Sequence, residues 1–339
     1  MIRAAIIGMG SWGRNLVDSV QGKSEVIRFV AGTTRTPAKI ADFAAKHDLR
    51  LIESYDLVLA DPSIDAVVLA TPHSMHAEQI RAAARAGKPV FTEKPLGLTR
   101  HSAHRAVAAC AEHGVTLAVG YNWRFQPALQ EMKRMLDSGE LGKLLHIEGN
   151  FCGPSAYRFG RDHWRQRQDE GPAGGMTGRG VHLVDAMLYL AGHIESVIAQ
   201  SDRLAQDFGI DDTTSMLFRF ESGASGYLGT IIATAETWRM QMFGSRGWAE
   251  VGAVEHLTTW QLKVAFINQE DVTIKPQPRI VTFGQTSTEK AALEHFASAA
   301  SMRRPLAVIG GDEVHNVAVL EAILESARTG IRANVEDHR

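Results

Sequence analysis

The chain has almost no cysteine. Cys110 and Cys152 are the only two in 339 residues, far apart and in no metal-ligand spacing. They read as free, buried thiols, and no metal site is expected. The chain also lacks an excess of charge. Its formal net charge is −2, so neither nucleic acid nor a membrane surface meets the broad basic field it requires. No apolar run approaches the roughly 20 residues of a membrane span. The opening "MIRAAIIGMG" enters an apolar strand at once and turns on glycines, without the long apolar region and cleavage site of a signal peptide. A cytoplasmic, reducing location is the expectation. Internal repeats, low-complexity tracts and long linkers are absent as well. What remains is an ordinary globular composition, 45% hydrophobic and 22% charged, in a chain too long for one core.

What is present falls into two halves. The first 120 or so residues alternate strand and helix signals. "IRAAIIG", "EVIRFVAG", "SIDAVVLATP", "KPVFTEKP" and "GVTLAVGY" are apolar strand runs, separated by helical segments such as "SWGRNLVDSV" and "MHAEQIRAAARAG". Continuous rather than alternating apolar strands suit a parallel sheet covered on both faces. After "YNWRFQPALQEMKRMLDSGELG" the character changes. "KLLHIEGNFC", "TSMLFRF", "ASGYLGTII", "TWRMQMFG" and "GWAEVGA" follow one another with turn signals between them, as in a mostly antiparallel sheet with one covered face. The expected fold is α/β: an N-terminal Rossmann domain, then an α+β domain with a large, mostly antiparallel open sheet. The expected boundaries are 1–122 and 123–305, with 306–339 as a C-terminal helix packing back near the first domain.

The strongest local motif is Gly8-Met9-Gly10-Ser11-Trp12-Gly13, between a strand and a helix. In that setting the three glycines serve a tight turn, close backbone approach to a pyrophosphate, and helix–strand packing. The helix N-terminus then offers its free N–H groups to phosphate. Ligands of open parallel sheets sit beyond the carboxyl ends of the strands, so Thr71, Pro72, His73, His76, Glu93, Lys94 and Pro95 are expected to line one crevice. The plainer alternatives are two loop histidines and a surface ion pair. The second strand ends in "AGTTRT". Many nucleotide-binding chains carry an acid at such a strand end; this one has none, and Arg35 follows.

The chain resembles the glucose–fructose oxidoreductase / inositol dehydrogenase / MocA family over nearly its whole length. The stretches that carry the likeness are "GMGSWG", "DAVVLATPHSMHAEQI", "GKPVFTEKPLGLT", "GYNWRFQPALQEMKRMLDSGELGKL", "GGMTGRGVHLVD" and "EAILESARTG". The resemblance implies NAD(P)-dependent oxidation or reduction at a hydroxyl-bearing carbon of a sugar, polyol or related molecule. It implies a sheet used for homodimer or homotetramer contacts. It makes Lys94 and His182 the catalytic residues, and sets Trp164 and Arg165 near the nicotinamide. Asn122, Arg124 and Asp185 match positions at the substrate side. In the family the strand-end acid falls at Thr34, where it holds the ribose hydroxyls of NAD. Thr34 and Arg35 instead suit a 2′-phosphate, so NADP(H) is expected over NAD(H).

One departure matters. Many members carry an aspartate four residues before the histidine; here that position is Gly178. The usual relay is incomplete, and the vacated room suits a bulkier or more anionic substrate, with Arg179 beside it. "CGPSAYRFGRDHW" adds Tyr157 as a substitute proton donor, the alternative being an ordinary packed or surface tyrosine. Lys94 supplies a compact cation for a developing alkoxide, and His182 an acid/base near neutral pH. Two other readings stand beside the dehydrogenase: a nucleotide-binding sensor without turnover, and a glycosidase that recycles its NAD.

Overall fold

In the computed structural model, which describes residues 1–302 and 312–335, the apolar runs of the first half pair as a six-stranded sheet. Its strands are β1 (Ile2–Ile7), β2 (Ile27–Thr33), β3 (Arg50–Leu51), β4 (Ala66–Leu69), β5 (Val90–Thr92) and β6 (Leu117–Val119). They run in the order β3-β2-β1-β4-β5-β6, all parallel. The order reverses between β1 and β4, which is the switch point where doubly wound sheets take dinucleotides. Every residue of β4 is fully buried, as a strand covered on both faces must be. Helices α1 (Ser11–Val20), α2 (Ala41–Lys46), α3 (Tyr55–Ala60), α4 (His76–Arg85) and α5 (Arg100–Glu112) make the connections.

The second half contributes helices α6 (Pro127–Asp137), α7 (Ser155–Arg158) and α8 (Val181–Ala191) and eight strands, β7 (Leu144–Cys152), β8 (Ile194–Asp202), β9 (Thr213–Phe220), β10 (Ser225–Ile231), β11 (Thr237–Gly244), β12 (Gly247–Ala253), β13 (Gln261–Phe266) and β14 (Arg279–Thr282). After them come α9 (Thr288–Ser301), α10 (Glu313–Thr329) and β15 (Ala333–Asn334). The second sheet runs β14-β13-β12-β11-β7-β10-β9-β8-β15. Its pairs are antiparallel apart from β7 with β10. One face is covered. Trp238, Met240 and Met242 of β11 are buried while Arg239 and Gln241 between them are not, the period-two pattern of a half-covered strand. The other face carries a run of charge, Glu148–Arg239–Glu250–Lys263.

The chain divides into two compact units, Met1–Asn122 with Ser287–Val314, and Trp123–Thr286 with His315–Arg339. Two expectations change here. Helix α9, expected in the second domain, belongs to the first unit: it lies against α1 and β2, and its Phe296 meets Phe91 edge-on at 5.8 Å. The C-terminal helix, expected near the first domain, groups from His315 onward with the second unit. His315 stacks on His193 at 4.1 Å and accepts a hydrogen bond from the Ile194 N–H, and the Ser326 hydroxyl accepts one from the Ala199 N–H. The expected boundary between 305 and 306 lies outside the described residues. Among the described residues, no helix is long and apolar enough to cross a membrane.

Candidate functional site

Backbone hydrogen bonds lace the strand ends of the first unit together. Gly8 N–H donates to Thr33, Ala70 to Ile7, Glu93 to Leu69 and Gly120 to Thr92. The glycine turn, the "TTR" turn, the "TPH" turn and Glu93–Lys94 therefore open side by side at one end of the sheet. Gly8 has φ +92°, and a Cβ there would stand 2.5 Å from the Ala70 carbonyl oxygen, so only glycine fits. A Cβ on Gly13 would collide with the Gly8 carbonyl, whereas one on Gly10 would meet nothing within 4 Å. Helix α1 begins at Ser11 with no side-chain cap and no acid in its first turn. Its first N–H groups thus face outward beside an open space at Gly10, and this cradle fits a dinucleotide pyrophosphate.

Thr34 is half-buried and Arg35 exposed. No carboxylate among the described residues stands at ion-pair distance from Arg35. The helix after them starts as a 3₁₀ turn at Pro37, and Thr36 occupies the N-cap without a side-chain bond.

Other crevice residues are engaged by the protein itself. The ring nitrogens of His76 lie 2.8 Å from the Pro95 carbonyl and 3.1 Å from the Thr71 carbonyl, and the side chain is fully buried. Expected to line the crevice, it braces the turns after β4 and β5. Thr71 donates its hydroxyl to Gln79 at 2.6 Å. His73 meets His76 edge-on at 6.0 Å, in the short turn that Pro72 precedes.

Glu93 is buried against Gly120, where a Cβ would come within 2.8 Å of its carboxyl oxygen. Burial pushes its pKa up to about 7; the Lys94 charge, the Trp12 indole and the Lys94 N–H oppose the rise, and the Glu289 charge adds to it. Trp12 makes no full hydrogen bond, yet its N–H lies near enough to Glu93 to be felt. The Asn122 amide donates to Thr288 at 3.0 Å and to Glu289 at 3.5 Å, at the start of α9. The side-chain oxygen of Asn122 is buried with no hydrogen-bond partner among the described residues.

The second unit builds its own constellation around His182. Residues Met176–Gly180 form a single π-helical turn that runs straight into α8, the kind of irregularity that collects at functional sites. His182, in the first turn of α8, is 7% exposed. Its ring stacks on Trp123 at 5.4 Å and 17° and lies 6.3 Å from Phe151. Trp123 in turn meets Trp238 at 4.6 Å, and Phe151 meets His256 at 4.8 Å. Sequence reasoning missed this aromatic wall. The alternation of β11 pointed Trp238 inward, but nothing local ties it to Trp123.

Two expected substrate contacts are occupied. Asp185 lies one turn along α8 from His182, and its carboxylate accepts three hydrogen bonds from Nε and Nη2 of Arg124 at 2.7–3.0 Å, with both side chains at most 3% exposed. Arg179 donates to Glu236 at 2.8 Å and to the Cys152 carbonyl at 3.0 Å, over the Phe151 ring. The Arg179 fork, expected beside a substrate carboxylate, is engaged by these protein groups. Tyr157 is a surface side chain, 61% exposed, with its hydroxyl 3.4 Å from the Ala233 carbonyl. A Cβ on Gly178 would meet nothing within 4 Å, so the position is open. Trp164 and Arg165 sit together in the loop before the π turn, the guanidinium 4.2 Å from the ring.

Comparison with known proteins fits these arrangements. Residues 2–121 match the model of an oxidoreductase family with an NAD-binding Rossmann fold, and residues 129–250 match a GFO/IDH/MocA C-terminal domain. The scyllo-inositol 2-dehydrogenase (NAD(+)) of Bacillus subtilis is 27% identical over 100% of this chain and 97% of its own. The D-xylose 1-dehydrogenase (NADP(+)) 2 of Haloferax volcanii is 29% identical over 84% of each. Among solved structures, the aldose–aldose oxidoreductase of Caulobacter crescentus superposes with a TM-score of 0.86 at 25% identity, covering 98% of this chain and 99% of the other. Both halves of the chain carry the family's domains in the family's order, and the chain belongs to the Gfo/Idh/MocA family of NAD(P)-binding oxidoreductases.

Proposed function

We propose that the protein is a dehydrogenase or reductase that moves hydride between a nicotinamide dinucleotide, NADP(H) in preference to NAD(H), and a hydroxyl-bearing carbon of a sugar, polyol or related small molecule. The observation that carries the reading is the uncapped α1 N-terminus beside the open space at Gly10, next to a β2 end that has Thr34 and an unpaired Arg35 instead of an acid. The sugar and polyol dehydrogenases among its relatives support the substrate class.

The glycine turn and Ser11 would hold the pyrophosphate on backbone N–H groups. Thr34 and Arg35 would hold a 2′-phosphate, Arg35 through its planar fork of donors. When bound, the nicotinamide gives or takes the hydride. Lys94 stabilises negative charge on the reacting oxygen with its ammonium. His182 holds or releases the hydroxyl proton at its imidazole. The stack on Trp123 helps to fix the plane of that ring. The protein acts in the cytoplasm as a homodimer or homotetramer. The open face of the second sheet, with Leu217, Tyr227 and Ile231 exposed, is the surface we assign to subunit contact.

Titration with NADPH and NADH tests the cofactor reading. NADPH should bind at least about tenfold tighter, a gap of about 1.4 kcal/mol, and Arg35→Ala should narrow it; equal dissociation constants would refute it. Turnover of a sugar and polyol panel tests the chemistry, since near wild-type rates in both Lys94→Ala and His182→Ala would dismiss their roles.

A further inference from the structure

The imidazole assigned to proton transfer has one soft torsion. Helix α8 fixes where the Cα of His182 stands and restricts χ1, but χ2 of a histidine turns about an sp³–sp² bond with broad minima. Whether a ring nitrogen meets a substrate hydroxyl therefore depends on what lies against the face of the ring. Trp123 lies there, its ring centre 5.4 Å away and its plane inclined by only 17°.

The short turn that carries Trp123, Asn122–Phe125, grips α8 at two points. Arg124 holds Asp185 through three hydrogen bonds and so resists rolling or sliding of the helix. Trp123 holds the ring of His182, one turn earlier, which the Arg124 fork does not reach. The indole is itself held. Trp238 of β11 meets it at 4.6 Å and 55°, Phe151 of β7 at 5.3 Å and 46°, and His256 at 5.7 Å and 39°. Trp238 is anchored in turn. Its indole N–H donates to the Thr259 hydroxyl at 3.0 Å, and that hydroxyl donates to the Glu255 carbonyl at 2.6 Å.

Packing alone does not account for an indole at this position. Trp123 is 3% exposed, and its N–H has no hydrogen-bond partner among the described residues. A buried indole normally finds a partner, and a stranded donor costs stability. Phenylalanine carries no such donor. What the indole adds is a wider flat face for the imidazole. An aromatic face also attracts a cation, so the same stack suits the ring after it has taken a proton. We propose that Trp123 is a positioning residue for His182, setting the plane in which the imidazole exchanges its proton with substrate. This rests on the dehydrogenase reading above and deepens it, and the test separates the failure of one from the failure of the other.

The test uses the full chain with saturating NADP⁺ and D-xylose, myo-inositol and scyllo-inositol as substrates. Trp123→Leu should lower kcat about ten- to hundredfold, the cost of a misaligned group, with KM within about threefold. Trp123→Phe keeps a ring against the imidazole and should lose at most about threefold in kcat. In a His182→Gln background, Trp123→Leu should cost nothing further, because residues that act through one another are not additive. Proton–carbon spectra of histidine-labelled protein read the stack without turnover. The His182 ring signal, assigned by its loss in His182→Gln, should lie upfield in wild type under the indole ring current and move downfield in Trp123→Leu. Thr259→Val, which frees Trp238 without emptying the core, should move it the same way by less and covers the case in which Trp123→Leu does not fold. Wild-type kcat in folded Trp123→Leu overturns the proposal. So does an equal loss in the His182→Gln background, or a His182 signal that neither variant moves. A His182→Gln enzyme as fast as wild type overturns instead the role given to His182. If none of the three substrates is turned over, the spectra alone decide whether Trp123 orients the ring.

Discussion

Replacing Glu93 by glutamine removes a proton-binding group from the floor of the strand-end crevice and leaves its shape in place. The carboxyl of Glu93 is 7% exposed, and burial carries its pKa from 4.5 to about 7 against the opposing charge of Lys94. Between those two values the folded protein holds a proton that the unfolded chain has released. Stability therefore falls as pH rises from about 4.5 to about 7, and the full penalty is present above that range. At about 1.4 kcal/mol per unit, the penalty comes to about 3 kcal/mol. Glutamine never ionises and escapes it. Glu93→Gln should melt close to wild type at pH 5 and about 6–12 °C above it at pH 8, taking about 2–4 °C per kcal/mol for a unit of this size. Calorimetry across pH 5–8 without cofactor reads this directly. Removing the Lys94 charge should enlarge the pH dependence of the wild-type carboxyl, since that charge is the strongest influence opposing the rise. If wild type and Glu93→Gln differ by a constant amount at every pH, Glu93 titrates as an ordinary carboxylate and the burial argument is wrong.

Asp185→Asn should destabilise the protein by about 3–5 kcal/mol, because it removes the carboxylate charge that faces the Arg124 guanidinium in a site only 3% exposed; urea unfolding with a loss under 1 kcal/mol would show that the pair is solvated in practice. Gly10→Ala and Gly13→Ala should separate binding from folding. The Gly10 variant should keep its melting temperature within about 2 °C and bind dinucleotide about tenfold more weakly, since its Cβ enters only the open space that a pyrophosphate would fill. The Gly13 variant should lose stability outright, because its Cβ meets backbone; unchanged cofactor affinity in Gly10→Ala would refute the close approach.

The sequence made legible whatever is decided by neighbouring residues. The continuous runs of β1 and β4 announce strands buried on both faces, and the Gly8–Gly13 spacing announces the turn between a strand and a helix, because each glycine answers to backbone a few residues away. Short edge elements such as β3, two exposed residues, leave too little pattern to read. What stayed hidden was partnership across the chain. Helix α9 carries an ordinary helical signal, and nothing local says that Phe296 belongs against Phe91, some 200 residues away. Polar residues fared the same way. Asp185, Arg179, His76 and Asn122 all have the chemistry of ligand contacts, and all four are held by protein groups: Arg124, Glu236, two carbonyls, and the start of α9. A buried polar group must be satisfied by something, and the sequence does not reveal whether that something is the protein or a ligand. The structure separates the cases by subtraction. Arg124 and Glu236 account for Asp185 and Arg179, and a polar group already bonded inside the protein has to give up that bond before it can meet a ligand.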